Sequence, residues 1–238
     1  MTIAYAVGSI NGILRPLTVD DTLQDGEGQA PASPLLQAET TLNRSIFSAT
    51  GIYSNILGAV LSGANLKGDY LLNIKCDALC GVYGEHGKLR VIDDVALAIS
   101  SQIWQSGNII RITADGTPDL TFIKVGQNIV ITGSTNSSNN GSHRILAVNT
   151  GSYYMDVENS SRSGSTDDES SSPATAGVVV WQGCTQTSGV VETVKGEALL
   201  SYTVSATHTY KLQATLSGAR GRIDINRCHF TLSRHKAA

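Results

Sequence analysis

The chain is poor in charge. Only 16% of its 238 residues are Asp, Glu, Lys or Arg, and the formal balance is −3, too little for a polybasic nucleic-acid binder or a disordered acidic tail. Aromatic residues are scarcer still, at 5%, which removes the stacking platforms of a single-strand nucleic-acid groove. No apolar run approaches the ~18 residues that a membrane-spanning helix needs. The opening MTIAYAVGSINGILRPL has no charged stretch followed by an apolar core, so no signal peptide, no membrane insertion and synthesis in a cytosol are expected. On that route the Asn-x-Ser sequons at Asn43, Asn136, Asn140 and Asn159 carry no weight.

Catalytic signatures are missing as well. There is no G-x-S-x-G, H-E-x-x-H or P-loop. His86, His143, His208, His229 and His235 are scattered, and Asp167, Asp168 and Glu169 lie in the serine-rich stretch NSSRSGSTDDESSS. That stretch reads as a mobile, solvated charge run, not as the paired carboxylates of a glycosidase. Asp20, Asp21, Asp25 and Glu27 lack calcium-loop spacing. The expectation is a non-enzymatic protein with no catalytic residue, no metal and no cofactor.

Cysteine is sparse: Cys76, Cys80, Cys184 and Cys228. In YLLNIKCDALC the residues Tyr70, Leu72, Ile74, Cys76, Ala78 and Cys80 alternate onto one strand face, and positions four apart on a strand lie roughly 13 Å apart. Cys76 and Cys80 therefore cannot bond to each other, and all four cysteines read as small buried thiols. A zinc site built from Cys76, Cys80 and His229 is the weaker alternative.

What the chain does have is glycine (24 residues) with many Ser, Thr and Val, the composition of short strands joined by tight turns. Residues 1–34 hold two strand-like pieces, Ile3–Val7 and Ile10–Leu14, then the acidic DDTLQDGEG and the Pro-punctuated QAPASP; they read as an attachment arm and linker. Over residues 35–60 the positions Leu35, Leu42, Ile46, Ala49, Tyr53, Ile56 and Val60 fit a heptad, but Thr50, Gly51 and clustered β-branched residues favour strands. A helix over Ser33–Leu42 is the competing reading there.

GDYLLNIKCDAL, KLRVID, DVALAISSQIW, EALLSYTVSA and HTYKLQATL supply the clearest strands. In GRIDINRCHFTL the apolar phase slips between Ile225 and Cys228, which predicts a bulge at Asn226 and Arg227. Between them, residues 107–181 hold about five short strands bounded by the repeated steps Trp104-Gln105 and Trp181-Gln182, as though a small barrel had been set into a hairpin tip. The expected fold is all-β: a jelly-roll-like antiparallel β-sandwich (35–106 and 182–238) with a small β-barrel-like domain inserted at 107–181.

GDYLLNIKCDAL together with KGEALLSYTVSATHTYKLQATLSG resembles the tip domains of bacteriophage fibres and related trimeric jelly rolls of the tumour-necrosis-factor-like type. DLTFIKVGQNIVITGSTNSSNNGSHRILAVNTGSYYMDVEN is similar to small β modules of phage tail and virion proteins, in which Asn140-Gly141 would make a tight turn. The resemblance implies a virion surface protein made in the host cytoplasm: a homotrimeric knob or short fibre held to other virion proteins by its N-terminal arm and contacting the host. A capsid decoration protein and a carbohydrate-binding module are the alternatives.

Candidate contacts to a host glycan are Tyr153, Tyr154, Asn139, Asn140 and Arg144, with Trp104 and Trp181 as further stacking rings. Candidate assembly contacts are Arg15, Asp20, Asp21, Arg220, Arg222 and Arg227. The last two strands are basic, with Lys195, Lys211, Arg220, Arg222, Arg227, Arg234 and Lys236 against Glu197 and Asp224. Such a face serves an acidic neighbour or an anionic glycan, or is simply solvated.

Overall fold

The computed structural model describes residues 7–10, 13–16, 34–40, 44–46, 53–81, 85–186, 189–218 and 222–236. Asp20, Asp21 and Arg220 lie outside them. The chain forms two compact units, 1–33 and 34–238. In the first, β1 (Val7–Ile10) and β2 (Ile13–Pro16) make an antiparallel hairpin with Ile10 opposite Ile13, a few residues later than the sequence suggests. Arg15 sits on β2, opposite Gly8.

The second unit is built from β3 (Pro34–Thr40), β4 (Arg44–Ile46), β5 (Ser54–Cys80), β6 (Gly87–Ser106), β7 (Ile109–Ala114), β8 (Asn128–Thr132), β9 (Gly141–Asn149), β10 (Tyr154–Glu158), β11 (Thr175–Cys184), β12 (Val191–Leu216) and β13 (Ile223–Lys236). All pairings are antiparallel, and no α-helix occurs among the described residues. The competing helix over Ser33–Leu42 is thus replaced by β3, which pairs with β13. Residues 47–52 lie outside the described set.

β12 is one strand that turns a corner. Its first half pairs with Asp69–Leu79 of β5, its second half with Ser54–Leu66 of β5 and with Gly87–Asp93 of β6, and the register breaks between Tyr202 and Ala206. The hydroxyls of Tyr202 and Tyr210 meet at 2.5 Å, although eight residues of straight strand would separate them by roughly 27 Å. The strand must therefore fold back across the core. Asp119, between β7 and β8, holds the corner open: it accepts hydrogen bonds from the Val204 N–H (3.1 Å) and the Thr203 hydroxyl (3.2 Å).

Two layers result, β3–β13–β5–β12 and β5–β12–β6–β11, with the bent β5 and β12 contributing to both. Their inner faces carry the alternating residues expected of strands with one wet side: Leu72, Ile74, Cys76 and Ala78 from β5, Ile225, Phe230 and Leu232 from β13, and Tyr210, Leu212, Ala214 and Leu216 from β12, all essentially buried. Where the layers come closest, side chains give way. A Cβ at Gly196 would run into the Trp181 indole, and one at Gly87 into Ile223. The register of β13 breaks between Ile225 and Arg227, where the phase slip predicts it.

Beyond Asp93, β6 leaves the sandwich and enters a second closure. The strand path β6–β7–β10–β9–β8–β11 returns to β6, because β11 pairs with both β8 and β6. A closed path has no exposed edge. Its interior is filled by Ile99, Ile110, Ile112, Leu120, Ile129, Ile131, Ile145, Met155, Val157 and Val178. Asn140-Gly141 does not make the tight two-residue turn expected of it. β8 and β9 are joined through a short 3-10 turn, Ser137–Asn139, and Gly141 opens β9 with φ +127°, because Asn139 and Asn140 are drawn into side-chain hydrogen bonds instead.

The cysteines also depart from expectation. Cys76 and Cys228 lie directly opposite each other on β5 and β13 and form a disulfide. Cys80 is a buried thiol, as expected, whereas Cys184 is exposed. Among the described residues no group of His, Cys, Asp and Glu is arranged to hold a metal ion.

Candidate functional site

Three constellations concentrate the polar chemistry. The first is in the core. Asp93, fully buried on β6, accepts hydrogen bonds from the Tyr202 hydroxyl (3.0 Å) and pairs with His208 Nδ1 (2.8 Å) through one carboxylate oxygen. Its other oxygen, Oδ1, has no partner. The His208 ring lies 4.0 Å from the Tyr202 ring and edge-on to Phe122 at 5.4 Å. Burial first, and the Asp93 carboxylate second, push the phenol of Tyr202 far above its ordinary range, and that of Tyr210 likewise. Both stay neutral donors. An Asp–His pair is the raw material of general base catalysis, but this one is sealed from solvent, so its work is to fix the corner of β12 against β6.

The second constellation corrects the reading of the serine-rich stretch. Far from being a solvated run, it folds onto one end of the barrel. Arg162 is buried and donates to Asp168 Oδ1 (2.5 Å), Asn139 Oδ1 (2.8 Å) and the carbonyls of Gly164 and Asp167. Glu169, also buried, accepts from the Ser134 hydroxyl (2.6 Å), the Ser172 hydroxyl (2.6 Å) and the Asn136 N–H (2.7 Å). Burial alone would raise its pKa; those hydrogen bonds outweigh it and hold the carboxyl below the usual range. Backbone bonds between Gln102 and Glu169 in both directions tie the segment to β6. Serine supplies donors here, not mobility.

That network decides what the expected glycan contacts do. Asn139 is fully buried, its amide donating to the Asp167 carbonyl (2.9 Å) while its oxygen receives Arg162. Asn140 bonds the Ser134 backbone through both ends of its amide. Both are thus engaged inside the barrel end. Tyr153 occupies the turn before β10 with φ +53°, its carbonyl accepting from the Ala114 N–H and its ring resting on the core. Tyr154 points outward, but one face of its ring is covered by the Arg111 guanidinium at 3.9 Å, itself held by two hydrogen bonds to Asp156 (2.8 and 2.9 Å). Arg144 is exposed on β9, opposite Glu158. The structure brings Tyr154, Arg111 and Asp156 together. Arg111 and Asp156 were not singled out by the sequence, though a cross-strand Arg–Asp pair beside an aromatic is a recurrent sheet pattern.

The third constellation is the outer face of β12–β5–β13. Arg222 is exposed and pairs with Asp224 at 3.0 Å. Away from that face, Lys211 on the second half of β12 is held by Asp94 of β6, a partner the sequence reading left out. Arg227 is exposed opposite Asp77, which accepts from the Thr193 hydroxyl at 2.6 Å. Lys75, Asp77, Arg227 and His229 enclose a hollow of about 170 Å³, and Lys75, Lys195, Glu197 and His229 line a neighbouring one of about 200 Å³.

No protein-family model matches the chain, and no curated protein matches it. Among solved structures it is similar to VP17, a capsid protein of bacteriophage P23-77, at 8% identity over 85% of this chain and 99% of that one, with a TM-score of 0.15. A TM-score of that size carries no argument about fold or function.

Proposed function

We propose that the chain is a non-enzymatic structural component of a bacteriophage particle, a homotrimeric surface knob or short fibre attached through residues 1–34. The observation that supports it is the surface of β12 and the turn before it. Val190, Val191, Leu199 and Val204 are each more than half exposed, and Val191 and Leu199 share the outward face of one strand half. Aliphatic side chains so placed gain by being covered, and a second copy of the chain is the natural cover. The Asp93–His208 pair and the Arg162–Glu169 network, by contrast, are buried and engaged in holding the fold.

Host contact falls to the barrel, whose outward face offers Tyr154, Arg111, Asp156 and Arg144. Tyr154, half-buried on the outward face of β10, is the ring we assign to a sugar. The test is to raise antibodies against the purified chain and label intact phage particles for electron microscopy. Regular labelling at fixed positions is expected; particles that are unlabelled and lack the chain on mass spectrometry overturn the reading.

A further inference from the structure

On the outward face of β12–β5–β13 the strands are in register, so residues form rows across the sheet. One row reads Thr193, Asp77, Arg227, and another Ser201, Asp69, Lys236. In the first a carboxylate stands beside a cation. Asp77 and Asp69 are further held by hydroxyls of Thr193 and Ser201, both at 2.6 Å. The row next to the first is different: Lys195, Lys75 and His229 stand directly opposite one another on three successive strands. Side chains so placed have Cβ atoms only about 5 Å apart, and like charges there repel.

We propose that the Lys195–Lys75–His229 row is a binding site for a phosphate or sulfate group. The two hollows share Lys75 and His229 as walls, and the one beside Lys195 is also lined by Ile74 and Gly196; each is several times the ~30 Å³ a water occupies, room enough for a tetrahedral oxyanion. Two ammonium groups, Lys75 and Lys195, stand in the row itself, whereas the rim carboxylate Asp77 stands in the next row opposite Arg227 and Glu197 is the other carboxylate at the rim. An oxyanion seated over the row turns the repulsion into shared attraction, and each ammonium is a compact donor suited to it. The residues of the site all belong to one chain, and because Lys195 stands between Val191 and Leu199 on the same face of β12, the row borders the surface proposed to meet a second copy.

The test is a titration of the full chain with inorganic phosphate, followed by calorimetry and by the NMR signals of the His229 ring. Saturable binding in the millimolar range or tighter is expected, with the His229 signals moving in step. The double variant Lys75→Gln, Lys195→Gln should weaken binding at least tenfold, whereas Lys67→Gln, on an exposed lysine of β5 away from the row, should leave it unchanged. A parallel arm with a heparin-derived sulfated oligosaccharide identifies the source: tighter binding than inorganic sulfate marks a sulfated sugar, equal binding a free anion. Absence of saturable binding, His229 signals that do not move, or equal losses in both variants overturns the proposal.

Discussion

Truncating Asp93 to alanine tests whether the sealed Asp93–His208–Tyr202 cluster is structural. The substitution removes two charge-assisted hydrogen bonds, at 2.8 and 3.0 Å, each of a kind that contributes about 1.5–3 kcal/mol. It also removes the unpartnered buried Oδ1, which relieves a penalty of about 1–3 kcal/mol. The net expectation is a loss of about 2–4 kcal/mol, in line with breaking one side of a buried pair. For a chain of this size that corresponds to a fall in Tm of roughly 4–16 °C. Asp93→Ala combined with His208→Leu should recover part of the loss, since the imidazole is no longer stranded. Asp94→Ala, which breaks only the half-exposed pair with Lys211, should cost less than about 1 kcal/mol. Calorimetry on the three variants decides it: a Tm within about 2 °C of the parent for Asp93→Ala would show that the cluster does not hold the corner.

Four further outcomes are expected. Light scattering should give about three times the 25.0 kDa mass of one chain, and a 25.0 kDa species at micromolar concentration would end the trimer proposal. Deleting residues 1–34 should leave the thermal transition in place and abolish incorporation into particles, which sedimentation with purified particles will show. Replacing residues 107–174 by a Gly-Ser linker, keeping β6 and β11 whole, should preserve a cooperative sandwich but lower its Tm, because Phe122 and Asp119 leave the corner of β12; loss of the transition would mean that barrel and sandwich are one folding unit. Acid should destabilise the barrel in two stages. Burial lowers the pKa of His143 in the fold, so the unfolded chain binds the extra proton and stability falls as pH drops below about 6.5. Glu169, held below the usual range, adds a second loss as pH falls through about 4.3 and below. Glu169→Gln should flatten that second stage in a pH series of melting curves.

Strand positions were legible wherever one face is wet: the alternation in YLLNIKCDALC and HTYKLQATL became β5 and β12, and the phase slip at Ile225–Arg227 became a bulge. The corner in β12 was not legible, because Tyr202, His208 and Tyr210 keep the same parity through it; only Val204, in phase yet exposed, betrays the bend. The Cys76–Cys228 pairing depends on β5 meeting β13 across 152 residues, a separation no local pattern encodes. The end of the barrel was misread for a related reason. Serines and mixed charges look alike whether they face water or each other, and burial of Arg162 needs Asn139, 23 residues before it, to be brought onto the nearby Gly164 carbonyl and Asp168.

Because β6 pairs with β12 and β11 at one end and with β7 at the other, a single strand sets the inward side for two cores. Side chains alternate with a period of two, so inserting or deleting one residue between Asp93 and Ile99 would turn one core inside out while the other stayed in place. The same parity binds β11 from Thr175 to Cys184. The barrel can be exchanged between relatives of this chain only as a cassette whose two ends keep odd and even in step, and drift in its length must be absorbed in its loops or cancelled by bulges such as those after Ile99 and Trp104.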